Sequence, residues 1–164
     1  MKKFLFILCG IGFLTFAFNS APQKFDPVEE LKSELHDHRA RETTSSNLED
    51  KTVLLYFSAK WCPPCQQFTP KLVDFQKQHS QQVDVVLVSW DRSVDAMKAY
   101  INEKKMGDFY SIPPGSQLNR VLSDKFDIKG IPSVVVVNPS GSVVTEDGRR
   151  HITFNEELPA EWTQ

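Results

Sequence analysis

Cysteine is scarce in this chain: three among 164 residues, at positions 9, 62 and 65. So few thiols exclude a scaffold stapled by several disulfides. A structural zinc site needs about four ligands. Cys62 and Cys65 would supply two, and Cys9, His36, His38, His79 and His151 are too scattered to supply a second pair. Glycine is also sparse, with seven residues and no glycine-rich phosphate loop, so no nucleotide, flavin or metal cofactor is implied. Runs of basic residues are missing and the formal net charge is −2, which sets nucleic-acid binding aside. The longest apolar run, Phe4 to Phe18, is short for a membrane span.

What is present begins with that run. Lys2 and Lys3 precede it, and Asn19-Ser20-Ala21 follows with small or polar residues. This is the layout of a signal peptide over residues 1–21, with an uncleaved anchor as the alternative. Cys9 lies in the middle of the apolar run, behind Leu8 rather than a small residue, and is read as part of the removed segment. Loss of Lys2 and Lys3 would take the formal charge from −2 to −4 and leave Cys62 and Cys65 as the only cysteines. An exported chain with one reactive pair points to work on other proteins' disulfides.

The pair stands in Trp61-Cys62-Pro63-Pro64-Cys65. The apolar, β-branched and aromatic run Thr52–Phe57 before it predicts a buried strand. Phe68, Leu72 and Phe75 after it predict a helix over 64–79. The thiols therefore sit where a strand hands over to the first turn of a helix. Free N–H groups and the positive end of the helix dipole favour a thiolate there. The i, i+3 spacing lets the two sulfurs join, so the pair can cycle between dithiol and disulfide. Closing so short a loop adds little stability, which argues against a purely structural bridge. Cys62, at the helix entrance, is the expected nucleophile, and Cys65, inside the first turn, the resolver.

Elsewhere, Asp26 and Pro27 open an expected helix running to Arg41, and residues 42–50 read as a polar loop. Val83 to Trp90 reads as a central strand, apolar on both faces. Ser93 caps a helix to Lys105 carrying Val94, Met97 and Ile101. Residues 106–115 read as a loop, and Gln117 to Phe126 as a helix carrying Leu118, Val121 and Leu122. Ser133–Asn138 and Ser142–Thr145 read as a hairpin across Pro139-Ser140-Gly141. The end, Thr153 to Trp162, reads as a short helix or docked tail. The order predicts one mixed sheet with helices on both faces and a right-handed βαβ portion.

With the element order in place, the chain resembles the thioredoxin superfamily, and within it the tryparedoxin and nucleoredoxin branch. Three segments carry the resemblance: Tyr56 to Cys65 followed by Phe68-Thr69-Pro70, Val86 to Asp91, and Phe126 to Ser133. It covers roughly residues 51–150. It implies a thioredoxin-like fold, a central mixed sheet flanked by helices on both faces. It also implies a cis Ile131–Pro132 bond beside the cysteines, with the Ile131 backbone free to pair with an extended substrate. Pro70 fits the branch and is expected to kink its helix. Tyr56 stands where thioredoxins proper carry a buried acid, so that proton acceptor for Cys65 is missing. Asp91 and water are the candidates left.

The reading is an exported, periplasmic or secreted thiol–disulfide oxidoreductase acting through Cys62 and Cys65. Trp61, Pro63, Pro64, Ile131 and Pro132 are its expected docking and accessory residues. Pro63 and Pro64 remove two N–H donors from the thiolate, which favours a protein-disulfide reductase over a strong oxidant. Clients are proteins bearing disulfides. Electrons come from an upstream thiol–disulfide donor protein, a membrane carrier being one candidate. A monomer is expected. The organisation is residues 1–21 signal, 22–50 helix and polar loop, and 51–164 thioredoxin-like domain. The rivals are a disulfide-forming oxidant and a peptide-binding or chaperone module, which would not need both thiols.

Overall fold

The computed structural model describes residues 24–155 and 157–164. The expected signal segment lies outside the described residues. A five-stranded mixed sheet organises the rest, in the order β3-β2-β1-β4-β5. Its strands are β1 (Thr52–Ser58), β2 (Val83–Ser89), β3 (Tyr110–Ile112), β4 (Ser133–Val137) and β5 (Val143–Thr145). β1, β2 and β3 run parallel, while β4 and β5 are antiparallel to their neighbours. The helices are α1 (Pro27–Leu31), α2 (Pro63–Gln78), α3 (Val94–Glu103), α4 (Gln117–Lys125) and α5 (Gly148–Phe154).

Period-2 alternation sorts the central strands between two cores. Leu54, Tyr56, Val85, Leu87, Val134 and Val136 face α2, α3 and α5. Val53, Leu55, Phe57, Val86, Val88, Val135 and Val137 face the N-terminal segment and α4. Strands buried on both faces explain the continuous apolar runs in β1, β2 and β4. The two crossovers, β1-α2-β2 and β2-α3-β3, step in one direction across the sheet, so right-handedness puts both helices on one face. α4 then covers the opposite face on the way from β3 to β4.

Several expectations need correction. The helix from Asp26 ends at Leu31 rather than Arg41. Asp26 Oδ1 does cap it, accepting from Val28 N at 3.0 Å. Beyond it the chain becomes extended: His36 exchanges backbone bonds with Ser111 of β3, at 2.9 and 2.8 Å. That single residue covers the sheet edge, which would otherwise be open to pairing. β3 itself lies inside the expected loop at 106–115. Val94 and Val121 point outward, and Tyr100 takes the buried place on α3. α2 spans Pro63–Gln78 with Pro70 inside it, so it begins one residue earlier than expected.

α5 begins earlier than the expected C-terminal helix. Gly148 opens it because a Cβ there would stand 2.6 Å from Val136 Cγ2. Gly141, in the β4–β5 turn, has φ +80°, and a Cβ would meet the Phe25 carbonyl at 2.9 Å. The tail closes the far end of the sheet, where Thr52 Oγ1 donates to the Trp162 carbonyl at 2.5 Å. Phe25, Leu31, Leu35 and Leu48 are buried in the α4-side core, so residues 25–48 pack with the domain that follows. No helix among the described residues is long and apolar enough to cross a membrane.

Candidate active site

β1 delivers its carboxyl end to a tight turn, Ala59-Lys60-Trp61, which leads into α2. Cys62 is the N-cap of α2, with φ −94° and ψ 109°, and Pro63 follows at the first helical position. The residue that prepares the helix is thus the cysteine itself. Its Sγ lies 3.3 Å from the Cys65 amide, which donates to it. Cys62 and Cys65 are joined as a disulfide, with Cα atoms 5.2 Å apart. Cys62 keeps 4 % of its surface accessible and Cys65 none.

From the other side, the loop before β4 approaches the pair. The Ile131–Pro132 bond is cis. The Ile131 carbonyl oxygen lies 3.7 Å from Cys62 Sγ. Trp61 is 55 % exposed beside the pair. Its Nε1 donates to the Trp90 carbonyl at 3.0 Å, which fixes the indole as a wall rather than a loose cover. Pro63 and Pro64 are exposed and Pro132 is buried. The structure therefore brings Trp61, Cys62, Pro63, Pro64, Cys65, Ile131 and Pro132 together at one end of β1.

Below Cys65 lies a group of hydroxyls that sequence reading did not assemble. Thr69 Oγ1 donates to the Cys65 carbonyl at 2.8 Å. A hydroxyl has one proton. Thr69 must therefore accept from both neighbours, the Tyr56 hydroxyl at 2.8 Å and the Tyr100 hydroxyl at 2.5 Å. Tyr100 in turn accepts from Ser58 Oγ at 3.0 Å. Every proton in this buried set runs toward the turn that carries Cys65. Burial pushes the Tyr56 phenol far above its ordinary range, and Tyr100 adds to the shift. It stays neutral at any working pH. The only signal in the sequence was Tyr56 itself, standing where thioredoxins proper carry a buried acid.

Asp91 closes the turn from the end of β2. Its Oδ1 accepts from the Lys60 amide at 2.8 Å, and its Oδ2 from Ser89 Oγ at 3.0 Å. Burial pushes its carboxyl above the usual carboxylate range, and the two hydrogen bonds and the Lys60 charge offset this only in part. Both oxygens are engaged away from the sulfurs. Trp90 Nε1 donates to Ser123 Oγ at 3.2 Å, linking this corner to α4.

Comparison with known proteins fits this geometry. The Thioredoxin-like family model matches residues 50–143. The chain belongs to the thioredoxin-like family, in its tryparedoxin and nucleoredoxin branch. Tryparedoxin from Trypanosoma brucei brucei is 34% identical over 124 residues, covering 70% of this chain and 80% of that protein. Nucleoredoxin from Bos taurus is 37% identical over 117 residues, covering 69% of this chain and 26% of that protein. The chain thus spans about a quarter of the bovine nucleoredoxin. Among solved structures, tryparedoxin I from Crithidia fasciculata superposes with a TM-score of 0.70 at 30% identity, covering 83% of this chain and 96% of that one. Tryparedoxin II complexed with glutathionylspermidine gives 0.65 at 33% identity, covering 73% and 84%. The match reaches outside residues 51–150, so part of the N-terminal segment belongs to the shared architecture. The thioredoxin-like fold is thereby established for this chain.

Proposed function

We propose that this thioredoxin-like oxidoreductase reduces disulfides in client proteins by dithiol–disulfide exchange. The observation that carries the reading is the Cys62–Cys65 disulfide at the entrance of α2, with Cys62 Sγ facing the Ile131 carbonyl. In the reduced enzyme, Cys62 thiolate attacks one sulfur of a client disulfide. A Cys62–client bond forms, the client S–S bond breaks, and the other client sulfur leaves as a thiolate. Cys65 then attacks the Cys62 sulfur. The Cys62–Cys65 bond forms and the second client sulfur leaves. Two electrons have passed to the client, and an upstream thiol donor must restore the pair.

A client segment laid along Ile131 would bring its disulfide to Cys62, with Trp61 as the opposite wall. The donors around Cys62 support this direction of exchange. Pro63 and Pro64 lack N–H groups, which leaves the Cys65 amide as the backbone donor to the sulfur. A thiolate with few donors is poorly stabilised, and a poorly stabilised thiolate makes a reductant. Export completes the proposal; Lys2, Lys3 and the apolar run at 4–18 support it.

Insulin reduction tests the activity. The wild type should accelerate insulin precipitation in dithiothreitol, while the Cys62→Ser, Cys65→Ser double variant should match dithiothreitol alone. A double variant as fast as wild type would overturn the reading. For export, cell fractionation should find the mature chain outside the cytoplasm, and a cytoplasmic chain retaining residues 1–21 would contradict it.

A further inference from the structure

Asp91 takes no part in the exchange steps, yet it is a carboxylate only 7 % exposed at the edge of the site. Its Oδ1 holds the Lys60 amide, two residues ahead of Cys62. The Cys62 amide donates to the Ala59 carbonyl at 3.2 Å, so Lys60 sits inside the turn that presents the nucleophile. Ser89 orients the carboxylate from both sides: its hydroxyl donates to Oδ2 at 3.0 Å and accepts from the Asp91 amide at 3.2 Å. Asn119 Nδ2 anchors the Ser89 carbonyl to α4 at 2.7 Å. Trp90, next in the chain, packs against Ala59, Cys62 and Cys65. Asp91 is thus held rigidly against the turn on which the thiols depend.

A seat for the Lys60 amide needs an acceptor, and a neutral asparagine would supply one. A buried charge is expensive beside a neutral group of the same shape. The charge therefore calls for its own explanation. We propose that Asp91 is a positioning residue that seats the Cys62 turn, and that its buried negative charge disfavours the Cys62 thiolate and keeps the Cys62–Cys65 pair reducing. This rests on the exchange chemistry proposed above. A negative charge in the same low-dielectric corner as a thiolate raises its energy, and Asp91 reaches that corner at the Lys60 amide, two residues from Cys62. Oxidants of this kind are oxidants because their reduced form is stabilised, so the opposite charge environment favours a reductant.

The other charges around Asp91 offset it only in part, Lys60 being the one that acts on it. The Lys60 ammonium turns to Glu103 on α3. From α4, Arg120 and Asp124 line the same cleft, and Arg120 reaches the Gly115 carbonyl. Arg92, next in the chain, is exposed. Because burial lifts the Asp91 carboxyl above the usual carboxylate range, its charge is lost earlier than that of a surface acid as pH falls. The reducing influence should fade as pH drops through that titration.

The test is the reduction potential of the full chain in glutathione redox buffers, followed by thiol alkylation, for wild type, D91N and D91A. D91N keeps an acceptor for Lys60 and removes the charge. It should shift the equilibrium toward the dithiol by about three- to tenfold, or roughly 14–30 mV more oxidising. The gap from wild type should close as pH falls through the Asp91 titration, where wild type loses the charge as well. D91A should show the same shift and, with the seat gone, react more slowly than D91N with oxidised glutathione. A D91N potential equal to wild type, or a gap independent of pH, overturns the electrostatic role. D91A reacting as fast as D91N overturns the seating role. If D91A does not fold, S89A, which removes the hydroxyl orienting the carboxylate, replaces it with the same expectation for the rate. These readouts do not require insulin turnover, so a pair that titrates normally without reducing insulin counts against the proposed function and not against Asp91.

Discussion

The two faces of the sheet are built from the same strands and differ in kind. The face under α4 and the N-terminal segment is filled mainly by aliphatic and aromatic side chains, among them Val53, Leu55, Phe57, Val86, Val135 and Phe126, and its buried polar groups Ser45 and Asn119 bond to backbone carbonyls. The face under α2 and α3 is equally apolar over most of its area, but beneath the cysteines it gives way to Tyr56, Ser58, Thr69 and Tyr100 hydroxyls. Hydrophobic packing is tolerant of shape and position. A closed hydrogen-bond set is not, because each member left without a partner carries a desolvation penalty. Polar atoms are thus spent where one turn of helix must stay in one place, and apolar atoms where only burial is needed.

The largest effect should come from the apolar face. Leu55→Ala should destabilise the fold by about 2–5 kcal/mol in chemical denaturation. It should leave the reduction potential of the pair unchanged, and a large shift in potential would break the division between the faces. Thr69→Val comes next. It removes the hydroxyl that accepts from two tyrosines and donates to the Cys65 carbonyl, at about 1–3 kcal/mol for buried groups left unpaired. It should also slow the resolving attack of Cys65, read as longer-lived mixed disulfides in rapid quench. Wild-type resolution in a destabilised Thr69→Val protein would reduce the hydroxyl set to a packing device.

The smallest effect should come from the surface turn beside the β3 edge of the sheet. Asp37 accepts from the Arg41 guanidinium at 2.7 and 3.0 Å and from the Arg39 and Arg41 amides. The Arg41 side chain leads in holding its carboxyl down at about 2. A depressed carboxylate contributes stability above its unfolded pKa of about 3.9 and loses it as pH falls toward the folded value. Asp37→Asn should therefore lower Tm slightly at pH 6, and most of the difference should be gone by pH 2. The pair is at the surface and screened by solvent, so the change should be small. A difference undiminished at pH 2 would mean that backbone geometry, not charge, holds the turn.

The parts legible in the sequence were those whose physics is local. The apolar runs of β1, β2 and β4, the Ser93 cap and the Cys62-Pro63 helix entrance all follow from adjacent residues. Leu31 and Leu35 misled because i, i+4 spacing suits a helix, while the pairing of His36 with Ser111 depends on a partner far along the chain. β3 is only three residues long and polar at its centre, with no periodicity to show. The hydroxyl set was hidden for the same reason: Ser58, Thr69 and Tyr100 come from three elements, and nothing in any one of them marks the meeting. Asp91 stood out as a residue near the motif, but its bond to Lys60 needed coordinates.

The central claim is that Cys62 is the nucleophile and Cys65 the shielded resolver. Limited alkylation of the fully reduced protein with iodoacetamide, followed by peptide mass spectrometry, tests it most directly. Cys62 stands at the open entrance of α2 and Cys65 has no accessible surface, so Cys62 should be labelled first and Cys65 only after longer exposure or unfolding. Earlier labelling of Cys65, or equal labelling of both, would contradict the account.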